Sequence, residues 1–221
     1  CPALSSVSAL FSEDPRKVFT VHNAVYPLKP EVAALPRPDH RGKEKIVTFL
    51  GRITMQKGPE YFVEAASLVL HRTSDIRFCM AGSGDMMNQM IYLAAERGIS
   101  DRFHFPGFMR GNQVYECLKD SDVYVMPSVS EPFGISPLEA MQCGTPSIIS
   151  YQSGCAEILT NCIKVDYWDT QALADAIYSI CNNDSLFDYL SKEGKREVDQ
   201  ITWEKVGAWI RQLYRQTLGW Q

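Results

Sequence analysis

The sequence predicts an α/β fold, with a Rossmann-like parallel sheet flanked by helices. Apolar runs of strand length alternate with helical patterns about six times along the 221 residues. These runs are unbroken rather than alternating, which is typical of parallel strands that are buried on both faces. In such sheets ligands bind at the carboxyl ends of the strands, so the functional residues are expected there.

The composition is that of an ordinary globular protein. Apolar residues make up 45% of the chain and charged residues 22%, and a chain of this length can bury a full core. The formal net charge of −4 gives no basic footprint for nucleic acid, and no apolar run is long enough to span a bilayer. The seven cysteines are scattered without C-x-x-C spacing, which argues against a disulfide framework or a zinc site and favours a reducing, cytoplasmic setting.

The first 45 residues are predicted to form an inter-domain segment rather than part of the sheet. Val18–Val21 is a candidate strand, and residues 27–45 carry four prolines among several charges, as expected of a hinge. We expect a sheet domain over residues 46–201 and a terminal helix within residues 202–221. Because the chain begins with Cys1 rather than Met, we expect it to be a fragment of a longer protein.

Two cations follow the first predicted strand, Ile46–Gly51. Arg52 lies at the carboxyl end of the strand, and Lys57 comes just before a helix that should begin near Pro59. Cations at this point oppose the helix dipole. A bound anion between them would resolve the conflict; the alternative is a pair of solvated loop cations.

The second predicted strand, Ile76–Ala81, ends in a glycine-containing turn and is followed by a helix to about Gly98. The turn, G-S-G-D, begins at Gly82, but position 87 is Met, so the dinucleotide pattern G-x-G-x-x-G is not completed. We interpret Gly82 as part of a tight turn that approaches a nucleotide. A short strand at 103–105 and a helix over 112–118 should follow, with Phe108 between them in a packing role.

The most informative stretch is Ser130–Gly144, which reads S-E-P-F-G-I-S-P-L-E-A-M-Q-C-G. Its two carboxylates, Glu131 and Glu139, lie eight positions apart. The segment from Ser136 to Glu139 has the form of a capping box, with proline at the first helical position. Because the run D-V-Y-V-M just upstream reads as a buried strand, Glu131 should lie in a loop and Glu139 in the first turn of a helix.

Backbone groups in this loop are candidates for anion binding. Free N–H groups of Gly134, Ile135 and Ser136 would point into the crevice at the end of a strand, where a phosphate is favoured. A helix cap alone would explain Glu139, but it would not explain the E-P-F-G segment that begins at Glu131.

The remaining elements complete the alternation. Helices are expected after a capping Asp169, over about 185–194, and over about 203–218, where an apolar face contains Trp203, Val206, Ile210, Leu213 and Thr217. Strands are expected at Pro146–Ser150 and Ile163–Val165.

The segment E-P-F-G-I-S-P-L-E-A-M, followed by G-T-P, resembles the E-x7-E motif of retaining GT-B glycosyltransferases, which include glycogen-synthase-like and sucrose-phosphate-synthase-like enzymes. The resemblance covers roughly Lys45 to Leu218. It implies that the chain is the C-terminal, donor-binding half of such an enzyme, which transfers a sugar from a nucleoside diphosphate to an acceptor hydroxyl.

The resemblance also assigns roles to residues. It implies that Glu131 contacts the donor-sugar hydroxyls, that Glu139 contacts the ribose, and that Arg52 and Lys57 hold the phosphates. The backbone of Gly134–Ser136 would hold the diphosphate or the sugar.

A nucleobase contact falls on Met109 by the same resemblance. No metal and no cofactor are implied; the substrate would be a UDP-, ADP- or GDP-sugar.

Two further expectations follow from this resemblance. The acceptor, a carbohydrate or another hydroxyl compound, would bind through a missing N-terminal domain, so the fragment should bind nucleotide but turn over poorly or not at all. In GT-B enzymes the last helix crosses to that domain, which would leave part of it and Trp220 in solvent; the alternative is that it packs on its own sheet.

Two other functions remain open at this point. A GT-B-fold sugar-nucleotide epimerase has a similar donor half and would convert the donor with no acceptor present. A non-catalytic nucleotide- or NAD-binding module is the second, although the missing third glycine argues against NAD.

Overall fold

The computed structural model describes residues 18–39 and 44–218, which form one six-stranded parallel sheet with helices on both faces. This arrangement confirms the predicted α/β class. The strands are arranged in the order β3-β2-β1-β4-β5-β6. They are β1 (Lys45–Leu50), β2 (Ile76–Ala81), β3 (Phe103–Gly107), β4 (Val123–Met126), β5 (Ser147–Ser150) and β6 (Ile163–Val165).

Helices connect the strands and cover the sheet. They are α1 (Pro30–Ala33), α2 (Pro59–Leu70), α3 (Met87–Glu96), α4 (Asn112–Asp120), α5 (Ser136–Gln142), α6 (Thr170–Asn182), α7 (Asp184–Val198) and α8 (Trp203–Leu218). Short 3-10 turns lie at Met55–Lys57, Ser100–Arg102 and Gly154–Glu157. As predicted, Asp169 caps α6, since its side chain accepts a hydrogen bond from the amide of Ala172.

The inner strands β4 and β5 are buried along their whole length, as the sequence predicted, whereas the edge strands β3 and β6 are only partly buried. One face of the sheet packs under α2, α3 and α6, where Phe49, Phe62 and Phe78 form a row of tilted and edge-on ring contacts. The opposite face contributes Tyr124 and Met126 to a second core with α4 and α5. Burial of this apolar surface on two sides is what holds the parallel strands together.

The strands are parallel, but the direction in which successive strands are added to the sheet reverses between β1 and β4. Strands β1 to β3 proceed toward one edge of the sheet, and β4 to β6 proceed toward the other. Because β1 and β4 are neighbours, the loops that follow them leave the same end of the sheet side by side. Such a switch point opens a crevice between two loops, which is where open α/β sheets bind ligands.

One prediction within the first 45 residues, the strand at Val18–Val21, needs correction. Residues 18–24 form no strand; only Val25 makes an isolated bridge, to Thr202. The Val18–Val21 prediction is wrong because this segment has no strand partner among the described residues. Residues 1–17 and 40–43 lie outside the described ranges.

The proline-rich segment packs on the sheet domain instead of standing apart from it. It contains α1, whose Val32 is fully buried, and the ammonium group of Lys119 donates to the carbonyl of Val32 at 2.6 Å. Arg37 donates to the hydroxyl of Thr145 at 2.8 Å. The hinge role of residues 27–45 stays a prediction, while these contacts of Val32 and Arg37 attach the described part of the segment to the domain.

The last helix has the predicted bounds and is poorly covered. None of its described residues is buried, and Trp209, Ile210, Tyr214 and Leu218 are exposed. The alternative in which α8 packs on its own sheet is therefore not supported. Trp220, which was expected to lie in solvent, is outside the described residues. Among the residues that the structure describes, no helix has the length and hydropathy needed to cross a membrane.

Candidate active site

An ion pair joins the two loops at the switch point. The ammonium group of Lys57, after β1, donates a hydrogen bond to Oε2 of Glu131, after β4. The two side chains are only 17% and 13% exposed. The carboxylate of Glu131 therefore neutralises a cation that would otherwise oppose the dipole of α2. The sequence predicted both residues at the site but not this pairing.

The loop after β1 is held tightly against the loop after β4. Gly58 adopts a left-handed φ of +62°, and a Cβ atom added there would lie 2.2 Å from the carbonyl oxygen of Pro127. The amide of Val129 donates to the carbonyl of Gln56 at 3.0 Å. Only glycine permits this approach, which sets Lys57 beside the second loop.

The loop after β5 holds the backbone of Glu131. The carbonyl of Glu131 accepts from the amide of Gly154 at 2.9 Å, and its amide donates to the carbonyl of Gln152 at 3.4 Å. A Cβ atom at Gly154 would lie 2.1 Å from the carbonyl oxygen of Pro132. The second carboxylate oxygen, Oε1, accepts weakly from the amide of Phe133 at 3.4 Å. Glu131 is thus fixed through both its main chain and its side chain.

The amide groups of Gly134, Ile135 and Ser136 donate to no carbonyl oxygen of the described residues. The sequence predicted free N–H groups at these positions, and their role in binding an anion stays a prediction. Gly134 has a left-handed φ of +90°, and Ile135 is 43% exposed at the start of α5. Unpaired backbone donors at the carboxyl end of β4 are suited to an anionic ligand.

The predicted capping box does not form. Helix α5 begins at Ser136, and no side chain caps it. The hydroxyl of Ser136 instead accepts a hydrogen bond from the buried hydroxyl of Tyr124 at 2.8 Å. This part of the prediction is wrong because the serine oxygen is hydrogen-bonded to the buried phenol of Tyr124 on β4. A local sequence pattern does not reveal that partner.

Glu139 lies in the first turn of α5, as predicted, and is half-buried. Its Oε1 accepts from the hydroxyl of Tyr115, on α4, at 3.4 Å. Burial raises the pKa of Glu139, and the hydrogen bond from Tyr115 opposes that rise. Tyr115 was not predicted as a site residue, because no local pattern links it to a carboxylate that lies 24 positions away.

Arg52 lies outside the ion pair. It is exposed, and its guanidinium group makes only a long hydrogen bond of 3.5 Å to Oε1 of Gln56. Within residues 18–39 and 44–218 it forms no ion pair with a carboxylate. The arginine and lysine therefore flank the same loop, but only Lys57 is neutralised by a partner.

The glycines after β2 have a packing role that the sequence did not reveal. A Cβ atom at Gly82 would lie 1.8 Å from the carbonyl oxygen of Gly51, and one at Gly84 would lie 2.1 Å from that of Ile53. The loops after β1 and β2 therefore touch through their backbones. The nucleotide contact predicted for Gly82 stays a prediction.

Met109 lines a cavity whose lining includes neither Lys57 nor Glu131. This cavity has a volume of about 860 Å³ and is lined by Thr48, Cys79 and His104 of the sheet and by Gln113 of α4. None of the other predicted site residues lines it. Phe108, predicted to pack inside, is 62% exposed, and the guanidinium of Arg110 lies 5.1 Å from its ring centroid. That packing prediction is wrong because the ring is mostly exposed to solvent beside Arg110.

No group of three or more His, Cys, Asp or Glu side chains within the described ranges is arranged to hold a metal ion. The charged groups near the switch point are the ammonium group of Lys57, the carboxylates of Glu131 and Glu139, and the exposed guanidinium group of Arg52. Such a set can orient hydroxyl groups and neutralise an anion.

Comparison with known proteins identifies relatives of this chain. The family profile described as "Glycosyl transferases group 1" matches residues 34–197. An uncharacterized glycosyltransferase of Methanocaldococcus jannaschii is 33% identical over 176 residues, which cover 78% of this chain and 45% of that protein. The chain thus spans less than half the length of this relative.

Solved structures show the same fold. The sucrose-phosphate synthase of Thermosynechococcus elongatus superposes with a TM-score of 0.71 at 27% identity, over 91% of this chain and 51% of that one. A mutant of TarM from Staphylococcus aureus, solved in complex with Fondaparinux, α-GlcNAc-glycerol and UDP, superposes with a TM-score of 0.78 at 20% identity. That match covers 94% of this chain and 41% of TarM.

Proposed function

The chain belongs to the group 1 family of glycosyltransferases, and we propose that it is the donor-binding part of a retaining enzyme of that family. The reaction would break the bond between the anomeric carbon of a sugar and a nucleoside diphosphate, and would join that carbon to an acceptor hydroxyl. The observation that carries this proposal is the Lys57–Glu131 pair at the switch point of the sheet.

The diphosphate would lie between the loops after β1 and β4. Lys57 and Arg52 offer positive charge from one side, and the unpaired amides of Gly134–Ser136 offer hydrogen-bond donors from the other. Negative charge grows on the diphosphate as the sugar leaves, and fixed donors aimed at that charge stabilise the transition state. We propose that these protein groups do so without a metal ion or a cofactor.

The two carboxylates would orient the rest of the donor. Glu131 would accept hydrogen bonds from sugar hydroxyls once Lys57 turns toward the phosphates. Glu139 would accept from the ribose hydroxyls, and its half-buried position would strengthen those hydrogen bonds, because a carboxylate removed from water interacts more strongly with donors. We also propose that Gly82 and Met109 border the nucleotide, with Met109 beside the base.

The acceptor-binding part is proposed to lie outside this chain, since the chain spans less than half of the M. jannaschii relative. Acceptor choice would then be decided elsewhere. The TarM complex contains UDP, which makes UDP the first nucleotide to test on this chain.

Isothermal titration with UDP, ADP, GDP and NAD tests the proposal. We expect one nucleoside diphosphate to bind and NAD not to bind. The Arg52→Ala/Lys57→Ala double variant should weaken that binding by about 100-fold, because two charge-assisted contacts are lost. The matched control Arg72→Ala removes an exposed cation just after the end of α2 and should leave affinity unchanged. Equal affinity in the double variant and the wild type would overturn the phosphate roles, and binding of NAD alone would overturn the donor-site assignment.

A further inference from the structure

A hydrogen bond joins the entry segment, which we define as residues 18–25, to the turn after β5. Nε2 of His22 and Oε2 of Glu157 are 3.0 Å apart, although the two residues lie 135 positions apart in the sequence. Because an ionised carboxylate can only accept, the imidazole Nε2–H is the donor. Neither residue has a role in the proposed donor site.

The ring of His22 also lies near the loop that carries Glu131. Its centroid is 6.3 Å from that of Phe133, and the two planes are tilted by 41°. Phe133 is only 8% exposed and belongs to the core that α4 and α5 share with the sheet. His22 therefore lies between the loop after β4, which its ring approaches, and the turn after β5, to which its nitrogen is bonded.

The turn that contains Glu157 also fixes the backbone of Glu131. This 3-10 turn begins at Gly154, whose amide donates to the carbonyl of Glu131 at 2.9 Å. The next amide, that of Cys155, donates to the carbonyl of Phe133 at 2.7 Å. The amide of Phe133 in turn donates to Oε1 of Glu131 at 3.4 Å. A displacement of the turn would therefore reach both the main chain and the carboxylate of Glu131.

The entry segment is attached to the sheet domain at a second point. Ala24 and Val25 are buried, and the amide of Val25 donates to the carbonyl of Ile201, between α7 and α8, at 3.4 Å. His22 precedes this anchor in the chain. A displacement that begins on the N-terminal side of the segment would thus act on the His22 contact before it acts on Val25.

The exposure of the pair decides which kind of role it can have. The side chains of His22 and Glu157 are 30% and 32% exposed, and pairs that water reaches contribute little to global stability. Loss of the hydrogen bond should therefore leave the fold intact. It should instead allow the turn after β5 to open more often, as a local event.

The phosphate end of the proposed site is attached by other contacts. The loop after β1, which carries Arg52 and Lys57, packs through Gly58 on the carbonyl oxygen of Pro127. Its backbone also accepts from the amide of Val129 at 3.0 Å. Both contacts lie before Glu131 in the loop after β4, so they do not depend on the turn after β5.

We propose that His22 is a positioning residue that holds Glu131 in place for the donor sugar, and that the entry segment thereby regulates sugar binding. This inference rests on the proposed function and names how that same site is regulated. With His22 bonded to Glu157, the turn after β5 supports Glu131. When the entry segment moves away, that support weakens at the sugar end of the site, while the phosphate end keeps its own contacts.

Amide hydrogen exchange, followed by NMR, tests the link without any ligand. In His22→Ala, the amides of Gly154 and Cys155 should exchange about threefold to fivefold faster, because the turn opens more often. His22→Gln keeps an N–H donor at this position and should restore the wild-type rates. The matched control His71→Ala removes an exposed imidazole just after α2 and should change neither rate. Urea denaturation should give the same unfolding free energy for all four proteins.

Isothermal titration with UDP, ADP and GDP, and with the glucose conjugate of each, tests the effect on the site. For the nucleotide that binds, His22→Ala should weaken the affinity for the conjugate about threefold to fivefold and leave the affinity for the diphosphate unchanged. His22→Gln should again match the wild type. General damage to the structure would weaken both ligands equally, so the ratio of the two affinities distinguishes positioning from a merely structural role.

Three results would overturn the inference: wild-type exchange rates in His22→Ala, faster exchange throughout the chain, or a ratio of affinities that this variant does not change. Failure of the proposed function would look different. If the wild type binds none of the diphosphates or conjugates, the donor site is overturned. The exchange rates of Gly154 and Cys155 would then still decide whether His22 positions the loop after β4.

Discussion

Lys57 and Glu131 are 74 positions apart in the sequence, yet they form an ion pair in which both side chains are more than four-fifths buried. Each comes from a loop that follows one of two neighbouring strands. The pair is therefore a product of sheet topology, and it places a neutralised cation and an oriented carboxylate at the point where a ligand can enter.

Removal of one partner from this pair should destabilise the protein. We expect Lys57→Met and Glu131→Gln each to lower the free energy of unfolding by about 1–3 kcal/mol, because a mostly buried charge is left without its partner. The double variant should lose less than the sum of the two. Urea denaturation of the four proteins measures this.

The exposed pair Arg72–Asp175 provides the control. Its side chains are 38% and 54% exposed, so Arg72→Ala should cost less than about 1 kcal/mol. A cost for Lys57→Met no greater than that for Arg72→Ala would contradict the structural role of the ion pair.

The stability contributed by Glu139 should depend on pH. Burial raises its pKa, so the folded state favours the neutral carboxyl, and this contribution is present below the unfolded pKa and is lost as pH rises through the folded pKa. Glu139→Gln should therefore raise Tm by about 2–4 °C near pH 7, and by less near pH 4.

Glu96→Gln, at a carboxylate that is 72% exposed, should leave Tm unchanged at both pH values. Calorimetry makes the comparison. A Glu139→Gln variant that gains more stability at the lower pH would contradict the assigned direction.

The hydrogen bond from Tyr115 should hold the pKa of Glu139 below the value that burial alone would give. Tyr115→Phe removes the donor to the charged form, so the pKa of Glu139 should rise further. Carbon-detected NMR titration of the Glu139 carboxyl measures the change. Tyr92→Phe, at an exposed tyrosine on α3, is the control and should not move it; equal titration curves for Tyr115→Phe and the wild type would refute the interaction.

Gly154→Ala should disturb the loop that carries Glu131. The φ of Gly154 lies outside the left-handed region, so the cost comes from contact: the new Cβ atom would lie 2.1 Å from the carbonyl of Pro132. We expect a loss of about 2–3 kcal/mol in unfolding free energy and weaker nucleotide binding. Gly207→Ala, in the open middle of α8, should instead stabilise by about 0.5–1 kcal/mol. Matching losses in the two variants would show that close contact is not the cause.

Most of the fold was predictable because each strand is a local apolar run. Ile76–Ala81 and Ile163–Val165 have the predicted bounds, and the other four strands differ from prediction by a few residues. Val18–Val21 failed because a strand also needs a neighbour, and a local run does not reveal one. The last helix was correct at both ends, since its period of apolar residues is regular.

The site was only partly predictable. Local pattern placed Glu131 in a loop and Glu139 in a helical turn, as the structure shows. It did not predict the pairing of Lys57 with Glu131, the bond from Tyr124 to Ser136, or the contact of Tyr115 with Glu139, because each joins separate elements. The contact between Tyr61 and Tyr167 was missed for the same reason, because the two rings meet only after the sheet has formed.

The close backbone contacts of Gly58, Gly84 and Gly154 have a consequence for how such sites can change. Each contact joins a loop to the next one with no room for a side chain. If a single loop were replaced by one of another length, its backbone would no longer pack against the neighbouring loops. New ligand preferences are therefore expected to arise through side-chain changes on unaltered loop backbones, or through replacement of all the loops together as one unit.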